Sequence, residues 1–390
     1  MDNEAGPLVE TARSGDPVAI ARLLVSTPSV NPSLARGGDG ESRIASIAST
    51  LLTGWGLTSE IIDVAPGRCN VVARLEGEGP TLLLNGHLDT VGIEGMTVAP
   101  FAAEVVDGRL IGRGACDMKG GVAAILSVSA RLAGDGPRPN LVVALTADEE
   151  HASVGMADFV EDGPAADLAV VCEPTSLKVM PAHKGFVWLR AEFRGRAAHG
   201  SRPDLGVDAI RHAGLYLAEL DAYAEELKAR APHPLLGHGS FHAGKIEGGT
   251  AESVYPDQCV LLLERRTKPG EGAESVLQEF QRVLDRVRDG EGALDATLDV
   301  SLARPGTEVP AESRLVQGLL RASEDRGLPG AVAGMTAWVD AAFLNDAGIP
   351  TVCYGPGGIE QAHTDDEWID VREIGACADV LEGFARELAR

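Results

Sequence analysis

Apolar positions along the chain follow two rhythms. In "VAIARLLVST" (18–27), "RIASIASTLLTGWG" (43–56) and "GGVAAILSVSARLAGDG" (120–136) they return every three to four residues, which predicts helices. Gly54 and Gly56 stop the second of these, and glycines end the third. By contrast, "EIIDV", "NVVARLEG", "TLLLNGHLDTV" (81–91), "PNLVVALTADEE" and "LAVVCEPT" (168–175) are short apolar runs that end in turn residues. They read as strands, several of them buried on both faces. Strands alternating with helices predict an α/β fold: a mixed, largely parallel sheet flanked by helices.

From about residue 183 the order changes. "GFVWLRAEFRG" is a strand, and "VDAIRHAGLYLAELDAYAEELKAR" (207–230) is a long amphipathic helix. Two strands follow in "GSFHAGKIEGG" and "SVYPDQCVLLLERRT", then a helix at 274–290 and the strand "LDATLDVSLA". That β-α-β-β-α-β order predicts a split βαβ, ferredoxin-like unit. The expected organisation is a first domain in two parts, 1–182 and 300–390, with 183–299 inserted as a lid. A chain of 390 residues is long for one core, which agrees with two domains.

Composition narrows the function classes. The net charge of −24 argues against nucleic acid or an anionic membrane as partner. No stretch approaches the roughly 18 apolar residues that span a bilayer, and the acidic start has no signal-peptide pattern. The six cysteines, at 69, 116, 172, 259, 353 and 377, show no CxxC spacing. They read as reduced, buried thiols of a cytoplasmic protein. Cys116 and Cys172 read as packing residues.

Polar residues then collect where apolar strands stop. His87 and Asp89 are two apart in "NGHLDTV", so in extended chain they face one side. Read alone, they are as compatible with a turn and a capping Asp. Asp117 stands among glycines in "GRGACDMKGG", a segment without the GK[ST] ending of a phosphate loop. Glu149 and Glu150 end "LTADEE", Glu173 ends "LAVVCE", and His363 follows the Gly-rich "YGPGG". In a parallel sheet such strand ends share one rim, where ligands bind. Two histidines and several carboxylates there suit Zn²⁺ or a similar ion.

These stretches, with "TADEEHASVG", "RAAHGSRP", "LERRTKPGE" and "YGPGGIEQAHTDDEWI", occur in family order over nearly the whole chain. The sequence resembles the co-catalytic zinc metallopeptidase and deacylase family that contains acetylornithine deacetylase, succinyl-diaminopimelate desuccinylase, aminoacylase and glutamate carboxypeptidase. The resemblance implies two divalent metal ions, Zn²⁺ first, with Co²⁺ or Mn²⁺ as alternatives. His87 and Glu173 would bind one ion, Glu150 and His363 the other, with Asp117 bridging them and Asp89 orienting His87. Three ligand carboxylates around a single ion would be overcharged, which also favours two. It further implies a cis peptide after Asp117, Glu149 as general base, and His199 as a lid-borne oxyanion donor from a neighbouring subunit.

For substrate contacts the resemblance offers Arg266, Ser253 and Gly357. Arg266 suits an α-carboxylate, with an ion pair to Glu264 as the plain alternative. Ser253 stands where the family usually carries Asn. Thr336 and Asp340 are expected at the site entrance. The implied activity is hydrolysis of N-acyl amino acids, acetylornithine-deacetylase-like first, by a homodimer joined through the lid. Desuccinylase, aminoacylase and carboxypeptidase activities remain open, as does a catalytically silent binding protein.

Overall fold

The structure, a computed structural model, describes residues 5–161, 166–292 and 294–390. The chain divides into two compact units. One takes the chain up to Pro181 together with Val309–Ala333 and Val339–Arg390; the other is Ala182–Glu308 with Gly334–Trp338.

The first unit is built on an eight-stranded sheet. At its centre Thr81–His87 pairs in parallel with both Asn140–Thr146 and Leu168–Val171, and Thr351–Cys353 pairs in parallel with Leu168–Val171. Arg68–Leu75 and Thr58–Ala65 extend one side as antiparallel strands. The expected mixed, largely parallel arrangement is therefore present. Its central strands carry apolar residues on both faces because helices cover both. Leu82, Leu84, Val143, Leu145 and Val170 pack with Val122, Ile125 and Leu126 of helix Gly120–Ala133 and with Val380, Leu381 and Phe384 of the last helix, Val371–Leu388. Gly121 makes this closeness workable: a Cβ there would lie 2.1 Å from the Cys172 carbonyl oxygen.

The second unit is a four-stranded antiparallel sheet in the order Ser240–Gly248, Gln258–Thr267, Gly185–Arg194, Asp295–Arg304. Its chain order is β-α-β-β-α-β, as the sequence pattern predicts. Val187, Leu189, Ala191 and Phe193 alternate inward and meet Leu220, Tyr216 and Phe280 of helices Ala209–Ala229 and Ala273–Gly290. The last strand runs to Arg304, beyond position 299, where the inserted domain was expected to end. Among the described residues, no helix is long and apolar enough to cross a membrane. The six cysteines are free and buried.

Candidate metal centre

Because the central strands are parallel, their carboxyl ends lie along one rim of the first unit. Five segments deliver side chains to the site. His87 is the last residue of its strand, and Glu149 and Glu150 follow the strand ending at Thr146. Glu173 follows the strand ending at Val171, and His363 follows the one ending at Cys353. Asp117 comes from Ala115–Lys119, the turn that leads into helix Gly120–Ala133. Its peptide bond to Met118 is cis.

The geometry is close. His87 Nε2 lies 3.0 Å from Asp117 Oδ1. His363 Nε2 lies 3.0 Å from Glu150 Oε2 and 3.4 Å from Asp117 Oδ2. One donor atom each from His87, Asp117 and Glu150 falls within 4.8 Å of the others, so this trio alone could hold an ion. Asp117 thus stands between the two imidazoles. Glu173 is buried, and its carboxyl feels the charges of Asp117, His87 and Glu150.

The charges explain what such a site needs. Burial pushes the Glu149 and Glu173 carboxyls well above the usual range, and their neighbours Glu173 and Asp117, respectively, add to it. Glu150 is raised by burial and by Asp117. Hydrogen bonding to Asp117 and Glu150 lifts the His363 ring to about 10. Burial opposes a charged His87, but Asp117 and Asp89 outweigh it and hold the ring well above its ordinary value. All of these shifts retain protons: the carboxyls chiefly because burial disfavours their charge and then because other acids lie close, the two rings because carboxylates face them. Divalent cations would supply positive charge instead, and the oxygen and nitrogen donors are those such ions accept. The residues present therefore fit a metal centre.

Asp89 does more than was expected of it. The His87 Nδ1 atom lies 2.9 Å from the Asp89 backbone oxygen and 3.6 Å from its carboxylate. That carboxylate instead accepts from Asn31 Nδ2 at 2.7 Å and from the backbone N–H groups of Glu149 and Glu150 at 3.1 and 3.3 Å. It fastens the loop of the two glutamates to the His87 loop.

The remaining predicted residues are placed as follows. Gly357 has φ +79° and donates its N–H to Glu373. Asp340 is not at an entrance: it is 1 % exposed and accepts from Thr146 Oγ1 at 3.3 Å, and burial raises its carboxyl to about 7. His199, Ser253 and Arg266 belong to the second unit. There the His199 and Ser253 segments run side by side: Gly200 N donates to the Ser253 carbonyl at 2.7 Å, and His199 forms an antiparallel bridge with Val254. His199 Nδ1 accepts from Ser201 N at 3.2 Å, which leaves Nε2 as the ring's donor. Arg266 forms the ion pair with Glu264, at 3.0 Å, and lies over the Phe186 ring.

Several residues of this site carry no motif that singles them out. Glu367 is fully buried and accepts from the N–H groups of Gly114, Cys116 and Asp117 and from Arg113. In sequence it is one of three consecutive acids, and only its position just before the buried Ile369 hints at burial. Asn31, Glu41, Arg68 and Asp148 form a second buried network behind the glutamate loop.

A model of peptidase family M20/M25/M40 matches residues 83–387. The chain belongs to this family. Like the family, it is a metal-dependent hydrolase. An acetylornithine deacetylase from Myxococcus xanthus is 33% identical over 82% of this chain and 84% of its own length. One from Vibrio cholerae is 30% identical over 92% and 94%. In fold, the M20/M25/M40 chain is similar to aminopeptidase PepT from Bacillus cereus, with a TM-score of 0.81 at 22% identity over 97% of this chain and 99% of that one. A dinuclear metal-binding M20 peptidase from Bacillus subtilis gives 0.73 at 19% identity over 97% and 98%.

Proposed function

We propose that this chain hydrolyses the amide bond of N-acyl amino acids, with an acetylornithine-like substrate first. The observation that carries the reading is the division between adjacent glutamates. Glu150 lies within reach of His363 and the Asp117 cluster, whereas Glu149 makes no ion pair to either histidine among the described residues. Deacetylases among the curated relatives support the substrate class.

Two divalent ions fit this reading, zinc first, with cobalt or manganese as alternatives. His87 and Glu173 would hold one, Glu150 and His363 the other, and Asp117 both. When bound, such ions polarise a scissile carbonyl and acidify water. Glu149 takes a proton from the water that attacks the carbonyl carbon, and returns it to the amine nitrogen as the C–N bond breaks. His199 Nε2–H serves the oxyanion, from a second copy of the chain. Arg266 serves the substrate carboxylate, exchanging its partner Glu264 for it, with Ser253 and Gly357 lining the substrate.

The homodimer would form through the second unit. There Ser240–Gly248 is an edge strand, and Trp188 and Ile246 are exposed. Free cysteines suit the cytoplasm. Sedimentation analysis tests the dimer, and a monomer at assay concentration would remove His199's role in trans.

Activity is tested on a panel of acetyl, succinyl and longer acyl donors, with chelator and metal add-back. Glu149→Ala should lose turnover and keep wild-type metal content. Metal loss in that variant would mean the two glutamates have exchanged roles. Chelator-resistant activity would remove the metal mechanism, and no hydrolysis on any donor would leave a binding protein.

A further inference from the structure

The mechanism gives no role to the buried guanidinium of Arg68. Arg68 is 5 % exposed and lies on a strand next to the Asn140–Thr146 strand. Its Nε donates to both Glu41 oxygens, at 3.0 and 2.9 Å, and its Nη2 also reaches Glu41 Oε1. Its Nη1 donates to Asp148 Oδ1 at 2.8 Å and to Asn31 Oδ1 at 3.2 Å. Asn31 passes the connection on, because its Nδ2 donates to Asp89 Oδ2 at 2.7 Å and to Asp148 Oδ1 at 3.0 Å.

Asp148 immediately precedes Glu149 and has φ +69°, a backbone region that non-glycine residues rarely occupy. Something must hold it there. Its carbonyl oxygen accepts from Ser153 N at 2.6 Å and from Ala152 N at 3.1 Å, which curls the loop after the glutamates. Its carboxylate is held by Arg68 and Asn31. Three acids, Glu41, Asp89 and Asp148, face this one guanidinium, and among the described residues no other Arg or Lys pairs with them. Buried carboxylates this close need a shared cation and shared donors.

We infer that Arg68 and Asn31 are positioning residues: through Asp148 and Asp89 they fix where the Glu149–Glu150 loop presents its carboxylates relative to His87. The inference rests on the reading of Glu149 as base. It assigns the pair no contact with substrate. A guanidinium is needed because it binds Glu41 with one edge and Asp148 with another in fixed directions. A lysine supplies charge without that geometry.

The test compares Arg68→Lys and Asn31→Ser with the wild-type chain. Steady-state kinetics are run well below each variant's unfolding midpoint, and bound metal is counted by elemental analysis. The expected result is a fall in kcat of about ten- to a hundred-fold, the size of a small misplacement of catalytic groups, with KM within about twofold and metal content unchanged. A merely structural role would lower the unfolding midpoint and leave kcat per folded molecule unchanged, and that result in both variants overturns the inference. So does a loss of metal with unchanged turnover per bound ion. If Arg68→Lys does not fold, Asn31→Ser decides alone. Glu149→Ala is measured beside them. Should it retain turnover, the reading of the base fails, whatever the positioning variants show; should it be inactive while both variants run at wild-type rate, only the positioning inference fails.

Discussion

Glu367 is the residue on which the Asp117 turn depends, and replacing it gives a sharp measurement. Its Oε1 accepts from Cys116 N at 2.9 Å and from Asp117 N at 3.0 Å. Its Oε2 accepts from Gly114 N at 3.0 Å and from Arg113 Nη1 at 2.8 Å. Arg113 itself is 3 % exposed, so Glu367→Ala leaves a buried guanidinium without its carboxylate. Breaking a buried pair in this way costs about 3–5 kcal/mol, before the three abandoned N–H groups are counted. Against a total stability of about 5–15 kcal/mol, that variant is at risk of not folding. Glu367→Gln is the better perturbation. It keeps the volume and one acceptor oxygen, but its NH₂ must face two donors and the charge is gone. Losing two charge-assisted bonds, at about 1.5–3 kcal/mol each and less than additive, gives roughly 3 kcal/mol. Urea unfolding in the presence of chelator measures it, and a metal titration measures whether Asp117 has moved. A Gln variant within about 0.5 kcal/mol of wild type, the size of an ordinary surface change, with unchanged metal affinity, would refute the clamp.

Two further predictions concern other parts of the chain. Burial lowers the His183 ring to about 4 while Nδ1 and Nε2 are taken by the Lys184 carbonyl and Thr307. A ring whose folded pKa is depressed from 6.5 gives stability that is complete above pH 6.5 and lost progressively as pH falls from 6.5 to about 4, so wild type should lose about 2 kcal/mol more than His183→Gln between pH 7 and 5. Parallel urea curves for the two proteins at both pH values would count against it. Gly121→Ala in a helix would ordinarily stabilise by up to about 1 kcal/mol. Here the new Cβ meets the Cys172 carbonyl, one residue before Glu173, so a loss of about 1–3 kcal/mol and weaker metal binding are expected. A more stable variant in thermal melts would show that the helix shifts freely.

The sequence was informative where burial is decided locally. Strands such as "TLLLNGH" carry apolar residues on both faces, and their position in a parallel sheet follows from that. Helix Ser42–Gly54 ends where its glycines fall, with Gly56 at φ +95°. Helix Ala5–Arg13 carries no such apolar signature, and its sequence does not predict it. The same holds for Glu104–Val106 and Arg109–Ile111, paired strands of three residues each that are mostly exposed and too short for alternation to register. In the site, His87, Asp117, Glu150 and His363, each named by a local sequence stretch, lie close together. Arg68 and Glu41 lie 27 residues apart and Arg113 and Glu367 lie 254 apart, and nothing local marks either pair.

The centre draws on positions from His87 to His363, so no single stretch of polypeptide can present it before the strands have aligned. Any cation that prefers this gathered arrangement over the open chain raises the cost of unfolding by RT ln(1 + [L]/Kd), about 2.7 kcal/mol at a hundredfold excess over Kd. Ion supply during synthesis thereby becomes a determinant of how much of this polypeptide survives in the cell, separately from how fast each surviving molecule turns over.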